Sequence, residues 1–200
     1  MNIAHETKYK TLYEMAFHQR TLVLDGFMIL ASVVFMAVMA NLQIPLWPVP
    51  ITMQTFGIFA IAFFFGSMRG LVAIAAYVAA GLLGFGVFAG YKSGLGVIFG
   101  ASGGYIIGFL FMAFFVGWMI EKGYGRTRKS ILLCMLVGEI ILYAFGLTGL
   151  WFWLGEQATI LKTLQFGLFP FIIGDTLKAL MAAALFPYLW QGAEKLEKAR

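Results

Sequence analysis

Residues 166–190 read FGLFPFIIGDTLKALMAAALFPYLW, an unbroken apolar run whose only charges are Asp175 and Lys178. About 20 such residues in helical form cross the hydrocarbon core of a bilayer, so this stretch reads as a membrane span. Working outward from it, comparable runs occur at Thr21–Leu42, Thr52–Ser67, Gly70–Phe88, Gly103–Ile120 and Ile131–Trp153. The expectation is an all-α polytopic membrane protein with six transmembrane helices. Composition points the same way: 62% of the 200 residues are hydrophobic and only 12% are charged, against about 25% charged in a soluble domain. An ordinary water-soluble globule and a disordered chain are both excluded, and 24 glycines suit close helix packing in lipid.

The basic residues give the orientation. Lys8, Lys10, Arg20, Arg69, Lys122, Arg126, Arg128, Lys129, Lys195, Lys198 and Arg200 fall on one side of the predicted spans, Lys92 and Lys162 on the other, and Lys178 within the last span. By the positive-inside rule both termini are cytoplasmic, which requires an even number of crossings independently of hydropathy. The net charge of +5 therefore tracks topology and gives no reason to expect nucleic acid as a partner. The chain reads as one membrane domain over 1–200: a cytoplasmic or interfacial segment at 1–20, a bundle at 21–190 and a cytoplasmic tail at 191–200. The apolar run after Arg20 is longer than the h-region of a signal peptide and is kept as the first span. Tyr9, Leu12, Tyr13, Ala16 and Phe17 recur at helical spacing before it, as in a short amphipathic helix on the cytoplasmic surface.

Irregular sequence collects on the outer side. Pro45-Leu46-Trp47-Pro48-Val49-Pro50-Ile51-Thr52-Met53-Gln54 precedes the second span, and the glycine-rich stretch Gly84–Gly104 lies between the third and fourth. Proline inside a helix removes a backbone donor, so an ordered extended loop is expected before the second span. Irregular backbone at membrane depth is tolerated only where protein covers it or it lines a cavity, and an outward-facing ligand site is the natural inference. Gly96, Gly100, Gly104 and Gly108 stand four apart, forming one stripe wherever the stretch is helical, open either to a neighbouring helix or to a ligand. Gly103 and Gly104 also open the fourth span, where free backbone N–H groups suit an anion.

Asp175 and Lys178 lie three apart on one helical face within the last span. A charge at the centre of a spanning helix is unfavourable by at least about 2.5–3.5 kcal/mol, so the pair is read as a functional site with each residue the other's first partner. Glu139 and Asp25 lie near the inner ends of their spans and are expected to reach the inner surface. Tyr105, Trp151 and Trp153 belong to the outer aromatic belt or to the site. The single cysteine, Cys134, forbids an intrachain disulfide and a multi-cysteine metal site, and no cofactor is expected. Both histidines, His5 and His18, precede the first span, leaving none in the bundle as a base, so an intramembrane enzyme is disfavoured. A proton-driven carrier would use Asp175 and Glu139 as relay carboxylates, but the two halves of the chain show no convincing repeat.

Taken together, Pro48-Val49-Pro50-Ile51-Thr52-Met53-Gln54, the Gly81–Gly90 segment ending Val87-Phe88-Ala89-Gly90, Gly103-Gly104-Tyr105-Ile106-Ile107-Gly108-Phe109 and Gly174-Asp175-Thr176-Leu177-Lys178 closely resemble the BioY family. That family comprises the biotin-specific S components, or substrate-binding subunits, of energy-coupling-factor (ECF) vitamin transporters. The resemblance implies a six-helix bundle in the cell membrane with a vitamin site in its outer half. It also implies partners, a transmembrane coupling subunit and two ABC-type ATPases, since this chain has no nucleotide-binding motif of its own. S components commonly dock through an Ala-x-x-x-Ala surface on the first helix. This chain departs from that, offering Ala31, Ser32, Ala37 and Ala40 with no alanine pair four apart.

Biotin brings two ureido N–H donors, a ureido carbonyl, an apolar bicycle and an anionic carboxylate. The expectation is that Asp175 accepts from the ureido N–H groups and Lys178 orients it or meets a ligand oxygen. The carboxylate would meet Gly103, Gly104 and the Tyr105 hydroxyl. Thr52 and Gln54 close the site from above, and Phe88 and Trp151 supply walls. The reversed pose, with Lys178 on the carboxylate, is the alternative.

Overall fold

The computed structural model describes residues 11–17 and 21–198. Lys8, Lys10, Arg20 and Arg200 of the charge pattern, Tyr9 of the amphipathic segment, and both histidines lie outside the described residues. Almost everything described is helix: α1 (Leu12–Ala16), α2 (Leu22–Asn41), α3 (Gln54–Phe65), α4 (Ser67–Leu82), α5 (Leu95–Ile98), α6 (Gly103–Glu121), α7 (Arg128–Leu154), α8 (Ile160–Gly167) and α9 (Phe169–Lys198). The helical stretches at 22–41, 103–121, 128–157 and 160–197 are long and apolar enough to cross a membrane. The second and third expected spans are the shorter apolar helices α3 and α4.

Each difference from the expected boundaries has a local cause. The proline segment before α3 folds as a hairpin, β1 (Gln43–Ile44) pairing antiparallel with β2 (Ile51–Thr52), so α3 begins only at Gln54. α4 starts at Ser67, because the Glu121 carboxylate accepts from Ser67 N at 2.7 Å and from its hydroxyl, capping the helix start. Gly66, at φ +81°, makes the turn into it, in the left-handed region that costs glycine least. α4 ends at Leu82, not at Phe88: the chain turns at Gly84 and Phe88 folds back as a buried ring over Gly81 and Tyr77. α7 begins three residues early because Thr127 and Ser130 form a reciprocal cap. The last expected span is divided at Leu168 into α8 and α9; Pro170 is the second residue of α9, where a missing N–H costs no helical bond.

The four-residue glycine stripe is divided too, since a turn separates α5 from α6. Gly104 and Gly108 face α7, while Gly96 and Gly100 do not. Helices α6 and α7 form the most extensive pair in the bundle. Gly104 and Gly149 bring their backbones together there, with no room for a Cβ on either. α2 stands at the edge: Ser32, Met36 and Ala40 are its buried residues, one per turn, and Leu22, Val23, Phe27, Leu30 and Val34 are exposed.

α1 packs its apolar face on α3 and α9. Tyr13 is fully buried among Phe17, Phe64 and Phe65, and its hydroxyl donates to Asp25. The Arg69 guanidinium sits 5.3 Å from the Tyr13 ring centroid and 3.8 Å from both Glu14 and Asp25. Asp25 is therefore tied to Tyr13 and Arg69. Glu139 does not reach the surface: both carboxylate oxygens are buried.

Candidate functional site

A cavity of about 690 Å³ lies among the loop before α3, the loop after α4, and α6, α7 and α9. Its floor is the charged pair of α9. Asp175 is 8% exposed and Lys178 5%, and the Lys178 ammonium donates to Asp175 Oδ1 at 2.9 Å and to Thr55 Oγ1 at 3.0 Å. The Tyr143 hydroxyl of α7 donates to Asp175 Oδ2, so both carboxylate oxygens have a donor. Desolvating two charges is costly unless they are paired and hydrogen-bonded, and here three helices supply the partners. The result is a neutral but strongly dipolar floor, with unused lone pairs on the carboxylate for further N–H donors.

A second polar chain runs along the side of the cavity. Thr52 donates through its hydroxyl to Gln54 Oε1 at 3.0 Å. Gln54 Nε2 donates to the Tyr77 hydroxyl at 2.9 Å, and Tyr77 donates onward to the Val87 carbonyl at 3.1 Å. Gln54 is thereby held in one orientation by residues from α4 and from the loops before α3 and after α4. Replacing Tyr77 with Phe removes both bonds without changing the ring. Ligand affinity is expected to fall by about three- to tenfold, read by titration calorimetry, and the thermal midpoint to fall with it, because the buried Gln54 amide and the Val87 carbonyl lose a partner.

Phe88, Phe109, Phe171 and Trp153 give the walls. At the rim, Trp47 stacks edge-on against Trp153 and Phe166, with centroids 6.2 and 5.6 Å away. Asn41 pins the loop after α4, accepting from Tyr91 N at 3.0 Å. Lys92 of that loop lines the cavity and is exposed; among the described residues no carboxylate pairs with it.

Of the residues singled out in the sequence, Asp175, Lys178, Tyr105, Thr52, Gln54 and Phe88 line this cavity together. Gly103, Gly104 and Trp151 do not. The N–H of Gly103 is already donated to the Gly100 carbonyl at 3.0 Å, so it is not a free anion donor, and Gly104 is turned against α7. Trp151 points elsewhere because two helical residues differ by about 200° in direction, which brings Trp153 to the cavity instead. Tyr105 contributes its ring; its hydroxyl proton goes to the Gly167 carbonyl at 2.6 Å, satisfying the last turn of α8. Thr55 and Tyr143, which hold the pair, carry no signal of their own in the sequence. Tyr143 lies on the helical face that also carries Gly146 and Leu150, a spacing that marks a buried face but not a polar role.

The BioY family model matches residues 12–195. This chain belongs to the BioY family. Within it, the chain is 37% identical over 146 residues to the biotin transporter BioY of Thermotoga maritima, covering 73% of this chain and 83% of the relative. A probable biotin transporter BioY of Pyrococcus horikoshii is 34% identical over the same shares. Among solved structures, the S-component for biotin from an ECF-type ABC transporter superposes with a TM-score of 0.75 at 27% identity, covering 86% of this chain and 95% of that one. The fold of this BioY chain is thus that of an S component, and it is a multi-pass membrane protein.

Proposed function

We propose that this chain is the biotin-capturing subunit of a vitamin uptake transporter, binding biotin with high affinity on the outer side and delivering it inward when docked on an ATP-driven coupling module. The buried Asp175–Lys178 pair at the base of an aromatic-walled cavity carries this reading. Biotin is a small apolar bicycle with a polar ureido end, and the cavity has the complementary arrangement. The names of its relatives and of the matching S component support the same ligand.

In this reading one ureido N–H, pointing away from the other across the ring, donates to Asp175, and the adjacent ureido carbonyl accepts from Lys178. The bicycle lies between Tyr143 and Phe171, and the valeryl chain rises past Phe88 and Trp153. The carboxylate then reaches the rim, where Lys92 has a free ammonium, in place of the start of α6. The chain forms one membrane domain of six crossings with both termini cytoplasmic. At 1.5 Å per residue α3 is only about 18 Å long, and the 43–52 hairpin completes its passage. A coupling subunit and two ABC-type ATPases are the partners that supply ATP hydrolysis; this chain catalyses nothing. The Asp175–Lys178 pair thus serves binding, not proton relay.

Titration calorimetry of the purified chain in detergent, with biotin, desthiobiotin and biotinamide, tests the assignment. Saturable binding of biotin without any partner is expected, and its absence overturns the reading. Lys92→Ala is expected to weaken biotin by about tenfold, the worth of one exposed charged hydrogen bond, and to leave biotinamide unchanged. Equal losses for both ligands would place the carboxylate elsewhere.

A further inference from the structure

In the pose above Lys92 meets the carboxylate only if the loop after α4 aims it into the cavity, and that loop contains one unusual backbone residue. Residues 88–92 make a closed turn: Phe88 N donates to the Lys92 carbonyl at 3.1 Å, and the two residues form an isolated antiparallel bridge. The base of the turn is fixed from below. Phe88 is 1% exposed, and its ring fills the space that a side chain at Gly81 would occupy. The tip reverses through Gly90 at φ +69° and Tyr91 at φ +56°. Among the described residues Tyr91 is the only non-glycine in the left-handed region. Glycine adopts this conformation without steric cost, whereas a bulky aromatic residue stays there only where its surroundings hold it.

The Tyr91 side chain does not do the holding, since the residue is 77% exposed. The contact that does is on its backbone. Asn41, the last residue of α2, donates from Nδ2 to the Ala37 carbonyl one turn earlier at 2.8 Å. That bond turns Asn41 Oδ1 toward the loop, where it accepts from Tyr91 N at 3.0 Å. The acceptor is thus set by a helix and not by the loop it restrains. Lys92, the next residue, is exposed and lines the cavity, whereas Asn41 does not line it. Without the acceptor, residue 91 returns to a negative φ. The base at Phe88 stays in place, so the change of direction falls on Lys92.

We propose that Asn41 is a positioning residue for ligand selection. By clamping Tyr91 in the left-handed conformation it directs the Lys92 ammonium into the mouth of the cavity, and so favours ligands with a free carboxylate over their neutral amides. This rests on the biotin pose above, in which Lys92 meets the carboxylate.

The test is titration calorimetry of the full chain with biotin and with biotinamide, reading the ratio of the two Kd values. Asn41→Leu keeps the size of the side chain but has no acceptor. It is expected to weaken biotin by about five- to tenfold and to leave biotinamide within about twofold. Adding Lys92→Ala to it is expected to cost no more than Lys92→Ala alone. Tyr91→Gly in the Asn41→Leu protein is expected to restore the ratio to within about twofold, because glycine holds a positive φ without the clamp. A merely structural role of Asn41 would not be repaired by a change in the loop. If Asn41→Leu is not recovered folded, Tyr91→Pro makes the same test at an exposed position. It fixes φ at about −65° and removes the N–H that Asn41 receives, and the same selective loss is expected. Unchanged binding in these variants, or equal losses for both ligands while Lys92→Ala remains selective for biotin, would overturn the clamp alone. Failure of Tyr91→Gly to restore the ratio would do the same. Lys92→Ala weakening both ligands equally would overturn the carboxylate placement, and the clamp with it.

Discussion

Asp175→Asn is expected to bind biotin about a hundredfold more weakly than the unsubstituted chain, the largest loss for any isosteric change in the site. The substitution keeps the shape of the side chain but replaces an anionic acceptor of a ureido N–H with a neutral amide that offers one acceptor oxygen. A hydrogen bond to a charged partner contributes about 1.5–3 kcal/mol, and in the proposed pose one ureido N–H meets this carboxylate. The same change leaves the Lys178 ammonium, 5% exposed, without an anionic partner, and the one amide oxygen cannot replace both carboxylate oxygens that accept from Lys178 and Tyr143. Removing one member of a buried pair costs about 3–5 kcal/mol, so the thermal unfolding midpoint in detergent should fall as well. Calorimetry and a thermal melt on the same preparation separate the two effects. Full affinity in a folded Asp175→Asn protein would exclude Asp175 as the ureido acceptor.

Gly104→Leu is expected to prevent recovery of a folded, monodisperse protein. A Cβ at position 104 would lie 2.9 Å from the Gly149 Cα and closer still to the Phe145 carbonyl oxygen, and both of those atoms are backbone. No side chain can move aside, so α6 and α7 would have to separate. In lipid the association of helices depends on close packing and not on exclusion of water, so a lost backbone contact is not replaced by apolar burial elsewhere. Gly96→Leu is the control. A Cβ there meets nothing within 4 Å, and that variant should elute and melt as the unsubstituted protein does. Normal folding of Gly104→Leu would mean that the α6–α7 contact is not what holds the site's two walls together.

These residues also show how far the sequence reveals the site. Asp175 and Lys178 are legible because charge within an apolar run is costly, and Thr52 and Gln54 because a proline-rich segment cannot be helix. The long spans are legible from length alone, whereas α3 and α4 end early because capping by Glu121 and a turn at Gly84 are set by contacts distant in the chain. Thr55 and Tyr143 escape because neither residue type is unusual in a membrane helix; only the approach of α3 and α7 to α9 makes them partners of the pair. Gly103 and Gly104 illustrate the reverse. A helix start has free N–H groups on paper, but whether they face a ligand or a neighbouring helix depends on packing that a linear pattern does not encode. Trp151 and Trp153 are equivalent in sequence terms, and helical phase decides between them.

The charged floor stands on α9, the last of the described helices to be synthesised, while its supports on α3 and α7 are made earlier. During biogenesis α9 therefore enters the membrane carrying two charges, and each is unfavourable there by about 2.5–3.5 kcal/mol until neutralised. Their spacing lets them neutralise each other within one helix before any neighbour is met. Thr55 and Tyr143 are by then in place to receive them. The charged floor of the cavity is accordingly completed only when α9, the last of these helices to leave the ribosome, meets α3 and α7.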